Sequence, residues 1–559
     1  MRTSFAPIAM TLLALVAAPG LTRAAADDAR AIEEVRNTVI NLLESMVQKG
    51  IITREQAEAM VKDAQTKAAA AADINQAPTA APATPEPLEA GAISVPYIPA
   101  PVREQLAQEM TPDVTRRILM RAKSEGWGVP GALPEWLQGV QIYGDARFRA
   151  EADLYDKGNL LHDSGGNLVI SYIDYSAVNA KGGFAKAGPD AALNISINRE
   201  RMVGRARLGA LVNLGGNFKL DLRLASGTLA NPISTNQTLG NYGARWAIGV
   251  DRAAVLWNPI NEDHDRELDL RLGRFANPFV TTSELVWDAD ITPEGFSATY
   301  AMDLFHRHPG RMDRSLFLTV GAFPLQEVAL SSRDKWLIAG QLGAQLPMGP
   351  NSRLRFTAGY YDFRNVTGVK NSAESTLTDF TAPAFMQKGN TLFDIRNTVD
   401  STSNLYALAG KYRLVNGNLL LDVAAFGENH VQLGMEYVKN IGWKADEVFA
   451  KVKDTLGVRI PPRVTGYDAS LVVGRPAFNA RGQWRGSFTY RSLQRDAVID
   501  AFTDSDFHLG GTDARGYQAA FDLAVSRGAW LRLRYLTADA LDGPPLGIDV
   551  WQFDVNGQF

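Results

Sequence analysis

Cysteine is absent from all 559 residues, which excludes disulfides, thiolate metal ligands and cysteine nucleophiles. A charge excess is absent too. The 57 Lys and Arg face 61 Asp and Glu, whereas a nucleic-acid partner calls for a basic surplus. Past the N-terminus no window offers the roughly 18 consecutive apolar residues of a membrane-crossing helix, and the mean hydropathy of −0.13 is too polar for a helical membrane protein. A membrane β-barrel escapes that test, because half of each of its strands faces water. Histidine is scarce. His162, His264, His306, His308, His430 and His508 are all expected in loops or turns, leaving no strand histidine to serve a hydrolase at a membrane edge. His306 and His308 lie in a basic turn with Arg307 and Arg311, and a metal needs more ligands than two. Asp504, Asp506 and Asp513 lack EF-hand order and read as a solvated loop. No catalytic constellation, cofactor or metal site is expected.

What is present begins with an export signal. Arg2 supplies the positive start and Ile8 to Ala18 the apolar stretch. Ala24-Ala25-Ala26 is the small-residue cleavage site, cut after Ala26 by first choice and after Ala24 by second. The mature chain opens with a helical segment, 27–74. Ile32, Val35, Val39, Leu42 and Met46 form the a/d seam of a short coiled coil, ended at Gly50. Thr53 and Gln56 cap a second helix. Two heptads are marginal alone, so the pair either packs on itself or makes a seam between subunits. An Ala/Pro-rich linker follows over 75–101, semi-rigid from its seven prolines. A further helix and a Trp-Pro lead-in occupy 102–138.

From 139 to 559 the pattern becomes strict alternation of apolar and polar residues, the mark of half-buried strands. In the first strand Val140, Ile142, Ala146, Phe148, Ala150 and Ala152 share one face, and Asp145, Arg147, Arg149, Glu151 and Asp153 the other. A face so charged cannot meet lipid, where an Arg or Lys near the midplane costs roughly 2–4 kcal/mol, but it can meet a wet lumen. The pattern recurs to give about sixteen strands. Weaker members are expected near 404–413 and 418–427, and a parity slip at Asp251-Arg252 reads as a bulge. Gly215-Gly216, Val415-Asn416-Gly417 and Ser526-Arg527-Gly528 are expected as tight turns, and the connections after strands 1, 3, 5, 9, 11 and 13 are long. Even strand number with short turns on one side and long loops on the other predicts an all-β transmembrane antiparallel barrel, with the N-terminal helices on the short-turn, periplasmic side. The helical spacing of Val448, Val452 and Leu456 predicts a helix inside one long loop, packed there rather than acting as a lid.

Three stretches carry a resemblance: GWGVPGALPEWLQGVQIYGDARFRAE from Gly126 to Glu151, LRLGRFANPFVTTSELVWDADITPEGF from Leu270 to Phe296, and FTDSDFHLGGTDARGY from Phe502 to Tyr517. With them the chain resembles the Gram-negative putative porin family, whose members carry an N-terminal helical segment before an outer-membrane barrel. The terminal Trp551, Phe553, Val555 and Phe559 look like an outer-membrane insertion signal read by the assembly machinery, although Gly557 departs from the usual bulky residue. The resemblance implies passive diffusion of small hydrophilic solutes and ions, with lipid and lipopolysaccharide around the barrel. A homotrimer is expected because lipid-facing strands can pack against neighbours and the seam can set oligomer state. The third long-side loop, Ala276 to Gly295, is the one that folds into the lumen in general porins. Its Glu284, Asp288, Asp290 and Glu294 are expected to face a basic wall of Arg147, Arg149, Arg205, Arg207, Arg223 and Arg271, which together set the constriction and the ion preference. Alternatively the arginines simply pair with Asp145, Glu151, Asp221 and Asp269 on adjacent strands. Two other functions compete: a substrate-specific channel for small organic anions, and a tether between outer membrane and cell wall.

Overall fold

The computed structural model describes residues 139–559, apart from 170, 261–264, 306–312, 330, 350, 399–402 and 458. The expected signal peptide, both N-terminal helices with the seam Ile32, Val35, Val39, Leu42 and Met46, the linker, the lead-in, and His264, His306 and His308 lie outside the described residues.

Among the described residues, sixteen long strands form one antiparallel sheet that closes on itself. They are β1 (Val140–Tyr155), β2 (Arg199–Gly215), β3 (Phe218–Ser226), β4 (Ile248–Ile260), β5 (Arg266–Arg274), β6 (Glu294–Met302), β7 (Leu316–Gln326), β8 (Lys335–Gly349), β9 (Ser352–Arg364), β10 (Tyr412–Phe426), β11 (Asn429–Asn440), β12 (Thr465–Gly474), β13 (Trp484–Leu493), β14 (Ala514–Ser526), β15 (Ala529–Ala540) and β16 (Gly547–Gln558). Closure runs from Tyr155↔Ile548 to Asp145↔Gln558. Phe559 prolongs it through two backbone hydrogen bonds with Gly144, at 3.1 and 3.2 Å. A closed ladder leaves no edge strand, which is the condition for placing a sheet in lipid.

The barrel is inside-out relative to a water-soluble protein. Phe148, Leu208, Leu272, Phe356, Leu433, Phe521 and Phe553 are roughly half exposed on the outer surface, while Arg149, Glu151, Glu436, Asp468, Asp522 and Asp554 are buried on the inner one. Both faces follow from the period-two alternation once the closed sheet assigns an inside. Asp251 is the extra residue of a bulge, since Arg223↔Arg252 is followed by Leu224↔Val250.

The count of sixteen stands, but two of its members differ from expectation. Val415-Asn416-Gly417 is not a turn; it lies within β10. Asn416 donates to Glu436 Oε1 at 2.9 Å, and Gly417 pairs with Ala358 in the ladder. The segments expected at 404–413 and 418–427 therefore collapse into one strand, with Tyr406–Leu408 a separate short strand of the preceding loop. The missing strand is β11, whose Leu433, Met435 and Tyr437 face outward. His430 is the second residue of that strand, with Nδ1 2.6 Å from Asp422 Oδ1, so one histidine does stand on a barrel wall. Tight connections follow β2, β10 and β14, and the longest are 156–198 and 365–411 on the opposite side. The helix in the 441–464 loop spans Ala445–Leu456. Its Val448 and Val452 are buried against Phe393, Ile395, Ala407 and Trp443, a packed element as expected.

Candidate lumen constriction

The 275–293 segment between β5 and β6 turns into the barrel, and a glycine stands at each end of the turn. Gly273 (φ +116°) and Gly295 (φ +139°) oppose each other in the ladder. A Cβ at either would sit 2.3 Å from a carbonyl oxygen of the neighbouring strand, Ala253 or Ala322, so only glycine fits this backbone. From there the segment crosses the lumen. Val280 exchanges two 2.8 Å hydrogen bonds with the Gln341 side chain on β8. The Thr282 N–H donates to Asn418 on β10 (3.0 Å), and the Ser283 hydroxyl donates to Glu436 on β11 (2.8 Å). At the other end Asp290 meets β2. In a ring of sixteen, β2 and β10 stand on opposite walls, so the loop spans the pore.

Apolar burial pins it there. Phe275, Phe279, Leu285, Val286 and Trp287 pack against Phe323, Tyr361 and Phe363 of β7 and β9. Trp287 stands edge-on to Tyr361 with centroids 5.2 Å apart. This stretch of the inner wall is aromatic and is covered by the loop, and the charged faces of β16 and β1 to β5 line the passage beside it.

On that wall the expected arginines all point inward, in different company. Arg205 and Arg207 are each shared between Asp145 of β1 and Asp290 of the loop. Arg207 lies 2.8 Å from both, and Arg205 lies 2.9 and 3.4 Å from them. The acidic loop and the basic wall thus meet at Asp290, while Asp145 makes the cross-strand pairing of the alternative reading. Arg223 pairs with Asp251 and Arg271 with Asp269 at 2.5 Å, both within the wall. Arg149 is buried and bonded to Asp554 (2.7 Å). Arg147 makes no direct ion pair among the described residues; its guanidinium donates to Asn236 Oδ1 at 2.6 Å. Glu284 and Asp288 do not face the wall. The Glu284 carboxylate accepts from the Ala289 N–H (2.8 Å), and Asp288 accepts from the N–H groups of Asp290 (2.8 Å) and Ser505 (3.0 Å). Glu294 pairs with Arg274 at 2.7 Å. Burial, then neighbouring carboxylates, push both Glu284 and Asp288 above the ordinary carboxylate range.

A second loop, 494–513 between β13 and β14, also enters the barrel. Asp504 and Asp513, expected as a solvated loop with Asp506, are instead buried. Asp504 accepts from Arg491 at 2.7 Å. Asp506 is clasped between Arg149 (2.9 Å) and Arg534. Burial pushes the Asp506 carboxyl up, but Arg149, Arg534 and Arg147 outweigh it and hold it well below its usual range. The two loops are stitched together, with the Asp288 N–H donating to the Phe502 carbonyl (2.8 Å) and the Thr503 hydroxyl to that of Leu285 (3.0 Å). Composition misleads at these aspartates because their partners come from elsewhere in the chain: Asp504 meets Arg491, Asp506 meets Arg149 and Arg534, and Asp513 accepts from the N–H groups of Asp542 and Gly543. The one local sign of an inward segment is the pair of aromatics Phe502 and Phe507 flanking them, both packed inside.

Trp551, Phe553 and Val555 face outward and Phe559 ends the closing strand, each substantially exposed.

The family described as "Putative porin" matches residues 36–559. No curated protein matches the chain. Solved structures that resemble it include the high-pH structure of Pseudomonas putida OprB (13% identity, TM-score 0.42, covering 78% of this chain and 97% of that one). Others are Salmonella typhi OmpF in complex with daunomycin (11%, 0.37, 75% and 97%) and the outer membrane channel DcaP of Acinetobacter baumannii (9%, 0.35, 75% and 97%).

Proposed function

Because the chain belongs to the Putative porin family, and so forms an outer-membrane channel for passive diffusion of small solutes, we propose that its selectivity is set where Asp290 meets Arg205 and Arg207. The observation that carries this is the course of the 275–293 loop. Solute must pass beside a segment anchored on β8, β10 and β11 at one end and on β2 at the other. Of the expected acids, Asp290 serves the passage, while Glu284 and Asp288 hold the loop together. Of the expected arginines, Arg147, Arg205 and Arg207 face the passage directly, Arg223 and Arg271 belong to neutral pairs, and Arg149 anchors the second loop. A pore needs a narrowed point with a field across it rather than a catalytic group, and these residues supply both.

In planar bilayers the full-length protein is expected to give stable current proportional to voltage. A chain that inserts and carries no current would overturn the reading. The N-terminal helices are taken to hang in the periplasm and to specify a trimer through Ile32, Val35, Val39, Leu42 and Met46. Deleting 27–72 should then reduce the oligomer mass in detergent, and an unchanged mass removes that role. Trp551, Phe553, Val555 and Phe559 are taken as the insertion signal. A Phe559 deletion that still reaches the outer membrane at full yield refutes it.

A second reading, a channel with a preferred organic anion, is favoured by Arg147, a lumen cation with no direct ion pair among the described residues.

A further inference from the structure

One oblique row of inward-facing residues crosses four neighbouring strands. Trp530 of β15 pairs in register with Asn556 of β16, Asn556 with Arg147 of β1, and Arg147 with Arg205 of β2. All four present N–H donors, and three of them keep a donor without an acceptor. The Nε1 of Trp530, the Nδ2 of Asn556 and the Nε of Arg205 are buried with no hydrogen-bond partner among the described residues. Asn556 is only 8% exposed. Arg147 spends one donor on Asn236 Oδ1 and meets Arg205, a like charge, directly across the ladder. Buried donors are almost always satisfied, and each orphan costs about 1–3 kcal/mol. Like charges opposite one another add to that cost. Three orphaned donors beside Arg147, on a wall whose carboxylates are otherwise engaged, make a place for something that accepts.

Resting on the porin reading above, we propose that this row is a binding site inside the pore for a small organic monocarboxylate. Charge decides between classes of anion. Around the row five guanidiniums, Arg147, Arg149, Arg205, Arg207 and Arg534, meet four carboxylates, Asp145, Asp290, Asp506 and Asp554. One positive charge is left, which a monoanion balances and a dianionic phosphate overshoots. Geometry decides the shape. The planar fork of Arg147 suits a carboxylate taken side-on, and the Asn556 amide lies beside it to take the second oxygen. At the far end the Trp530 ring, 6.2 Å from Phe478, offers an aromatic face for the apolar body of the solute. The site lies in the passage, so it must hold its solute loosely enough to release it.

Benzoate is the probe. Its binding is measured by isothermal titration of the full-length protein in detergent, and its block of chloride current in planar bilayers. Saturable binding is expected, weakened at least tenfold in both Arg147→Gln and Asn556→Asp. Phosphate at equal concentration should compete poorly, and the heat-modifiable migration that reports a closed barrel should be retained. Equal benzoate affinity in wild type and variants overturns the site, as does wild-type protein that binds no benzoate, for then the donors serve water alone. The two readings separate. Current without benzoate binding sinks the site and leaves the porin, whereas binding that depends on Arg147 without any current sinks the porin reading and leaves the site.

Discussion

Replacing Trp287 by Ala attacks the pin that holds the crossing loop against the wall. Trp287 is 5% exposed. Its ring stands 5.2 Å from Tyr361, 6.0 Å from Phe363, 6.1 Å from Phe502 and 6.3 Å from Phe279. Removing a buried aromatic of this size costs about 3–5 kcal/mol, part of which is the ring-to-ring preference of about 0.5–1.5 kcal/mol per pair. The sixteen-strand ladder does not depend on this side chain, so the loss falls on the inserted state of 275–293. At about 1.4 kcal/mol per tenfold, inserted-to-released populations should shift by two to three and a half orders of magnitude, roughly 10²- to several 10³-fold. Single-channel recording reads this directly: wild type should hold one level, and Trp287→Ala should show excursions to a larger conductance or a permanently larger one. Heat-modifiable migration checks that the barrel still closes. A closed barrel with wild-type conductance and wild-type noise would refute the claim that Trp287 holds a loop that narrows the pore.

Other outcomes follow from the same contacts. Asp506→Ala strips the carboxylate between Arg149 and Arg534, which are 2% and 6% exposed. Asp554 and Gln552 remain as partners, so the loss should fall at the lower end of the ~3–5 kcal/mol typical of a broken buried pair, read as a lowered unfolding temperature in detergent; an unchanged one refutes it. Lys388 of the 365–411 loop sits 2.9 Å from His508 Nδ1 and donates to the Gly510 carbonyl at 2.8 Å. Burial pushes its ammonium down to about 7 against the pull of Asp513 and Asp500. Above that value the unfolded loop holds a proton the folded loop has lost, so loop stability should climb from pH 7 towards pH 10. Amide protection factors around 385–390 and 507–511 should show the climb in wild type and lose it in Lys388→Met; a slope that survives the substitution contradicts the assignment.

How legible this molecule was in its sequence depends on where each partner lies along the chain. The barrel is written locally: alternation in β1 or β14 needs no distant information, and the charged face excludes lipid without help. The same local logic failed at Asn416-Gly417, where turn chemistry overruled a parity that ran on unbroken. Gly417 carries no side chain to mark the outer face, and the Asn416 amide nitrogen finds its acceptors, the Glu436 carboxylate and the Tyr437 carbonyl, some twenty residues on. Spending a turn there left no room for β11, although Leu433, Met435 and Tyr437 alternate plainly. At the constriction, the loop and the arginine wall were readable from residue type and loop order. Which acid faces which arginine was not, because Asp288 is taken by Ser505 of another loop and Asp506 by arginines some 30 and 360 positions away. Ion pairs that close a pore are contacts between strands, and single-strand patterns do not contain them.

The reversal potential under a salt gradient reads the field at the constriction itself. If Asp290 and the β1–β2 arginines set the field at the narrowest point, Asp290→Asn should move the potential towards anion selectivity and Arg147→Ala towards cation selectivity, with single-channel conductance altered in both. Reversal potentials in both variants that coincide with wild type, from barrels that close normally, would contradict it.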